Sequence, residues 1–120
     1  MRRALAPILI LAASPALAGG ADVLSAEARP VGDGTYSVSA TVRHADEGWD
    51  HFANAFEVVA PDGTVLGTRV LAHPHVEEQP FTRTLGRVEV PEGIETVTVR
   101  ALDSVHGGGG AEVTVTLPDR

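Results

Sequence analysis

All five histidines of this sequence lie in three short polar segments. His44 and His51 bracket the first segment, His73 and His75 are separated by one residue in the second, and His106 stands in the third. Imidazole nitrogens and carboxylate oxygens are the ligands that Zn²⁺, Cu²⁺ and Ni²⁺ accept from a protein without thiols. The histidines therefore predict a site for a divalent transition metal, zinc or copper(II), wherever the fold brings these segments together.

The spacing of two pairs favours ligation. In an extended segment, residues i and i+2 share a face, so His73 and His75 are expected to point the same way. His44 and Asp103 continue the inward side of two apolar alternations, and a polar side chain at the edge of a core needs a partner. The predicted ligands, in order of preference, are His73, His75, His44 and His106, then Asp46 and His51, with Asp103 as a ligand or as a group that orients one.

The same residues are also compatible with roles other than metal binding. Polar loops are rich in histidine in any case, and His44 and Asp103 would equally form a structural hydrogen-bonded pair. Asp103, Ser104 and His106 contain the residue types of a hydrolytic triad, but adjacency in sequence does not provide triad geometry. The pattern favours a binding protein over an enzyme.

Two aromatic residues in the first segment give the alternative function. Trp49 lies within the loop and Phe52 follows it. We expect Trp49 to cover the open end of the fold. As an exposed anchor beside Phe52 it would instead bind another protein, which makes a non-catalytic interaction module of the cell envelope the alternative to metal binding.

Sulfur ligands are missing from the predicted mature chain, because Met1 belongs to an N-terminal segment that is predicted to be cleaved. There is no cysteine, and Met1 is the only methionine. Blue-copper electron transfer requires a thiolate and copper(I) handling favours soft sulfur, so both classes are excluded. A lipid-accepting cysteine and a stabilising disulfide are excluded for the same reason.

The elements that must position these residues are strands, because apolar and polar residues alternate along most of the chain. The predicted strands are Val23–Ala28, Thr35–Arg43, Ala53–Val59, Val65–Leu71, Phe81–Val90, Thr96–Ala101 and Val113–Leu117. Phe56 and Phe81 are expected in the core. Turn signals such as Pro61-Asp62-Gly63 separate the strands. Seven short strands so spaced are typical of an antiparallel β-sandwich.

The passage from Val88 to Gly93 and on through Thr96–Ala101 resembles the turn between the fifth and sixth strands of immunoglobulin-like and fibronectin-III-like domains. The tyrosine that such domains often carry in the sixth strand is absent here, with Val97 or Val99 in its place. The resemblance implies an immunoglobulin-like sandwich. In that fold the connections after the second, fourth and sixth strands emerge at one pole, which would gather all five histidines there.

The N-terminal segment Met1–Ala18 predicts a cleavable signal peptide. Arg2 and Arg3 precede an apolar stretch of about ten residues, within the usual range of roughly 7–15, and Ala16-Leu17-Ala18 supplies a small-residue cleavage site. The remaining residues, 19–120, are predicted to form a single domain in the periplasm or outside the cell. No stable membrane insertion is expected after cleavage, because a span requires about 20 apolar residues.

The charge of the predicted mature domain limits its partners. The predicted mature domain has seven arginines, no lysine and sixteen acidic residues, so its net charge is negative. Such a surface repels phosphate backbones, which argues against nucleic acid and is compatible with binding cations.

The patterns His-x-Asp-x-Gly-Trp-x-His, at 44–51, and His-Pro-His-Val-x-Glu-Gln-Pro-Phe, at 73–81, resemble those of small secreted bacterial proteins of uncharacterised function. This resemblance spans most of the predicted mature chain. It implies no activity and carries over no functional residues.

Overall fold

The computed structural model of the protein describes residues 20–119. Seven strands lie in this range: β1 (Asp22–Gly32), β2 (Thr35–Arg43), β3 (Ala53–Val59), β4 (Val65–Val70), β5 (Phe81–Glu89), β6 (Thr96–Asp103) and β7 (Val113–Thr116). They confirm the seven predicted strands, and β2 and β3 have the predicted bounds. The predicted signal peptide, Met1–Ala18, lies outside the described residues.

The strands form two antiparallel sheets. One has the order β1-β2-β5 and the other the order β4-β3-β6-β7. Every regular element in the described part of the chain is a strand, so the structure is all-β. No helix that is long and apolar enough to cross a membrane occurs among residues 20–119.

The inner faces of the two sheets share one apolar core. Alternate residues are buried along β6 and along β2 from Val38 onward, as the two-residue period requires, and the first four residues of β2 are all buried. Phe56 on β3 and Phe81 on β5 are buried as predicted, with 0% and 2% of their surface exposed. The hydroxyl of Tyr36 donates to the carbonyl of Pro118, which ties the segment after β7 to β2.

The two ends of the sandwich have different connections. At one end the strands are joined by tight turns in which Gly63 and Gly93 have φ angles of 94° and 92°, a region that favours glycine. At the other end lie three longer loops, residues 44–52, 71–80 and 104–112, which we call the histidine pole. Hydrogen bonds join these loops, from the amide of His44 to Gln79 Oε1 at 3.0 Å and from that of Phe52 to Ser104 Oγ at 3.0 Å. All five histidines lie on this set of loops.

Candidate metal centre

Asp103 is the last residue of β6 and keeps the inward side of the strand, where Val99 and Ala101 are also buried. Its side chain has 0% of its surface exposed. Oδ1 accepts hydrogen bonds from the backbone amides of Val105 and His106, which fixes the carboxylate so that Oδ2 faces the histidines. Burial favours the neutral acid, but hydrogen bonds from these amides and from the His106 side chain outweigh it and lower the pKa of Asp103 to about 2.

Three imidazole nitrogens surround this one carboxylate oxygen. His106 Nδ1 is 3.1 Å from Asp103 Oδ2, His44 Nε2 is 3.3 Å away and His51 Nε2 is 3.5 Å away. The rings also contact each other, with centroids 4.7 Å apart for His44 and His51 and 4.9 Å apart for His51 and His106. The predicted proximity of His44 and Asp103 is thus present, and two further histidines join them.

The separations suit ligand atoms around a shared ion. Two atoms bound at about 2.0–2.1 Å to a tetrahedral zinc ion are about 3.3 Å apart. His44, His51 and Asp103 each offer an atom such that all three atoms lie within 4.8 Å of one another. Direct hydrogen bonds between imidazolium and carboxylate are shorter, about 2.7–2.9 Å. The distances of 3.3 and 3.5 Å from Asp103 Oδ2 to His44 and His51 are therefore close to those between ligands of one ion, whereas His106 Nδ1 is within hydrogen-bond distance of Asp103 Oδ2 at 3.1 Å.

Asp46 is predicted from the sequence as a ligand, but the structure places it behind His44. Its Oδ1 lies 2.6 Å from His44 Nδ1 and accepts the backbone amide of Ala53 at 3.1 Å. Because this contact assigns the proton of a neutral His44 ring to Nδ1, the lone pair is on Nε2, the nitrogen that faces Asp103. A carboxylate that orients a histidine in this way is a recurring feature of zinc sites.

The His51 ring is held by the short turn that carries it. The amide of His51 donates to the carbonyl of Gly48 at 3.2 Å, and the amide of Glu47 donates to the carbonyl of His51 at 2.8 Å. Glu47 Oε1 lies 3.4 Å from His51 Nδ1, on the side of the ring opposite to Asp103. The side chain of His51 is 16% exposed, so it lies between the buried side chains of His44 and Asp103 and the surface.

His106 is the group's contact with solvent. Its side chain is 44% exposed, whereas those of His44 and Asp103 are 1% and 0% exposed. It precedes a run of four glycines, two of which, Gly107 and Gly109, have positive φ angles. An ion would reach the buried atoms from this side of the pole.

The two residues that the sequence places first as ligands have different surroundings. The His75 ring stacks on Phe81 with centroids 4.0 Å apart and planes 14° apart, and Arg83 Nη2 donates to its Nε2 at 3.1 Å. His75 Nδ1 is buried and has no hydrogen-bond partner among the described residues. Burial and the adjacent Arg83 guanidinium lower the pKa of His75 and keep the ring neutral.

His73 lies beside His75 but differs from it in burial. Its ring centroid is 4.7 Å from that of His75, so the two residues do share a face as predicted. However, His73 is exposed and its Nδ1 lies 3.1 Å from the carbonyl of Pro74. The structure therefore brings His44, His51, His106 and Asp103 together around one oxygen and places His73 and His75 in a second group beside Arg83.

Trp49 does not cover the open end of the sandwich, so that expectation is wrong. The indole is 69% exposed and packs edge-on against Phe52 with ring centroids 5.6 Å apart. Gly48 and Asp50 flank Trp49 in the chain, and Phe52, which the indole contacts, is half-buried.

Gln79 is a functional neighbour that sequence reasoning missed. Its Oε1 accepts the amide of His44, and its Nε2 donates to the carbonyl of His75 at 2.8 Å. No pattern in the sequence indicates a glutamine whose side chain bonds to backbone groups of two segments, so only the folded structure identifies it.

Ser104, which would be the nucleophile of a hydrolytic triad, has its hydroxyl oxygen engaged by the amide of Phe52. The triad thus gains no support from the position of that oxygen.

Comparisons with known proteins give one informative match. The chain is 38% identical over 95 residues to a protein of Halomicrobium mukohataei named "Putative lipoprotein". The matched region covers 79% of this chain and 46% of that protein, so the chain spans about half the length of the relative. No family model matches the chain, and no solved structure matches it.

Proposed function

We propose that this protein binds a divalent transition metal ion, zinc or copper(II), at the histidine pole. The ligands are His44 Nε2, His51 Nε2 and Asp103 Oδ2, with His106 Nδ1 as the fourth. The observation that carries the proposal is the convergence of three imidazole nitrogens within 3.5 Å of one carboxylate oxygen.

The charge balance of the site supports a bound cation. The side chains of Asp46 and Asp103 are both 0% exposed, and two buried carboxylates are costly without compensating positive charge. A divalent ion on the Asp103 side of His44 would neutralise both, directly at Asp103 and through the His44 ring at Asp46.

The donor set limits the choice of metal. Imidazole and carboxylate suit zinc, copper(II) and nickel(II), whereas copper(I) favours sulfur, of which the described chain offers none. Tetrahedral spacing favours zinc, and a tetragonal arrangement would favour copper(II). The visible absorption spectrum of the cobalt(II)-substituted protein distinguishes tetrahedral from higher coordination and so tests this preference.

The direct test is metal content and affinity, with two histidine variants compared. Protein purified from its native compartment is expected to hold one ion per chain and to bind it more tightly than about 10 μM. His44→Ala should lose this ion. His73→Ala, which removes a histidine from the same pole but outside the group, should keep it. Absence of a stoichiometric ion, together with binding weaker than that limit, would overturn the proposal.

We infer that the protein works in the cell envelope or outside the cell. The predicted signal segment and the name of the relative support this location. Fractionation of cells that express the whole chain, with N-terminal sequencing of the product, tests it. Material that stays in the cytoplasm with residues 1–18 attached would contradict it.

We also propose that the sandwich has the immunoglobulin-like, fibronectin-III-like topology. The sheet orders β1-β2-β5 and β4-β3-β6-β7 support this, because they are the orders expected when the seven strands are assigned to that fold in sequence. An experimental structure of residues 19–120, compared strand by strand with such domains, tests the assignment.

A second candidate function is protein interaction through Trp49. The exposed indole on Phe52 favours it, because aromatic anchors dominate many interfaces. Trp49→Ala should then abolish capture of an envelope protein while the metal content is unchanged. Equal capture by the variant would remove this candidate.

A further inference from the structure

Asp46 uses its two carboxylate oxygens on two different parts of the histidine pole. Oδ1 lies 2.6 Å from His44 Nδ1 and also accepts the amide of Ala53. Oδ2 accepts the backbone amide of His75 at 2.6 Å. The carboxylate thus stands between a proposed metal ligand and the loop formed by residues 71–80.

Gln79 adds a second connection between the same two parts. It accepts the amide of His44 and donates to the carbonyl of His75. Both backbone polar groups of His75 are therefore held by side chains that also bond to His44. Loop 71–80 is therefore joined to the His44 ring through the buried contacts of Asp46 and to the His44 backbone through the partly buried contacts of Gln79.

We propose that Asp46 is a positioning residue that couples metal occupancy to the order of loop 71–80. This inference rests on the proposed metal site. Oδ1 keeps the His44 proton on Nδ1, so that Nε2 faces the metal, and Oδ2 holds the loop. Metal binding polarises the His44 ring and strengthens its hydrogen bond to Asp46, which fixes the carboxylate that the loop depends on.

Coupling of this kind acts in both directions. If the ion stabilises the docked loop, the docked loop raises the affinity for the ion by the same factor. The loop carries Val76, which is 55% exposed, and the acidic Glu77 and Glu78.

The experiment measures amide hydrogen exchange at His75 together with zinc affinity. Zinc is expected to slow exchange of the His75 amide in the wild-type protein by at least about 5-fold, the lower end of typical coupling factors. Asp46→Ala should weaken zinc binding by about 10–100-fold and remove this effect of zinc on His75.

Asp46→Asn separates the two roles. Its amide oxygen still accepts from His44 and Ala53. Its NH₂ group then faces the backbone N–H of His75, and because both groups are donors, no hydrogen bond forms between them. This variant should therefore retain zinc affinity to within about 10-fold of wild type while losing the zinc-dependent protection of His75. Asp50→Asn, the same change at an exposed aspartate of the same loop, should behave like wild type. If Asp46→Ala does not fold, the coupling is tested with Asp46→Asn alone.

The outcomes separate this inference from the proposed function. If wild-type protein does not bind zinc, the metal site is wrong and the coupling falls with it. If zinc binds but leaves exchange at His75 unchanged, or if Asp46→Asn keeps the wild-type response, the coupling is overturned and the metal site stands.

Discussion

Two groups of histidines lie side by side at the same end of the sandwich, and their surroundings differ in charge. His44, His51 and His106 surround the carboxylate of Asp103, whereas the ring of His75 receives a hydrogen bond from the guanidinium of Arg83. The first group attracts a cation and the second repels one. Histidines at one end of the same sandwich therefore differ in the charges that their rings meet, which are the carboxylates of Asp103 and Asp46 in the first group and the Arg83–Glu78 ion pair in the second.

The largest expected effect comes from changing the charge at the centre of the first group. Asp103→Asn keeps an oxygen for the amides of Val105 and His106 but removes the negative charge and one ligand. Zinc affinity, measured by competition with a chromophoric chelator, should fall by more than about 100-fold, beyond the effect of groups that only orient ligands.

The matched change in the second group is Glu78→Gln, which removes the carboxylate paired with Arg83 at 3.2 Å. Because this pair is exposed, zinc affinity should change by less than about 2-fold. Equal losses in the two variants would mean that the groups do not differ in the way the structure indicates.

A smaller effect is expected from the exposed member of the first group. His106→Ala removes the ligand nearest to solvent, and water is able to take its place on the ion. Zinc affinity should fall by about 10-fold, less than for Asp103→Asn. Val105→Ala, a change at the exposed neighbouring residue, is the control. A loss as large as that of the aspartate variant would make His106 a principal ligand.

The smallest effect concerns the second group and appears as a dependence of stability on pH. Burial, together with Arg83, lowers the pKa of His75 below its usual 6.5. The unfolded chain therefore takes up a proton that the folded protein does not, so stability that is complete above pH 6.5 is lost as the pH falls through the folded-state pKa.

His75→Phe keeps a flat ring against Phe81 and removes the titration. The free energy of unfolding of metal-free wild-type protein, measured with denaturant, should fall relative to this variant as the pH is lowered from about 7 to about 5. Val76→Ala, an uncharged change at the exposed neighbouring residue, should keep the wild-type profile. Parallel profiles for wild type and His75→Phe would show that the buried ring does not resist protonation.

The strands and the inward-facing residues were predictable from the sequence because a strand has a period of two residues. That period also places His44 and Asp103 at the edge of the core, where the structure has them buried. His73 and His75 lie in a loop rather than a strand, but their rings are adjacent, as the prediction of a shared face required. Their preference as ligands has no support from the contacts around them, because spacing within one segment does not reveal which residues of other segments lie opposite.

Trp49 and Asp46 show that the sequence also fails to reveal the tertiary contacts of loop residues. Local sequence gives Trp49 apolar character, but whether an indole is covered depends on residues distant in the chain, and here it stays exposed. Asp46 has the residue type of a ligand. Its contacts with His44 and with the amide of His75 depend on the tertiary fold, because His75 is 29 residues away in the sequence.

The sequence by itself therefore determined an all-β chain with seven strands, a sulfur-free set of metal donors and three histidine-bearing loops, since alternation and composition are local properties. Only the tertiary structure decided which histidines meet. Packing of the two sheets brings His44, which follows β2, against Asp103 at the end of β6, and the path of loop 71–80 turns His75 back onto Arg83 of β5. Electrostatic interaction depends on distance in space rather than on separation in sequence, and this is why the two groups differ.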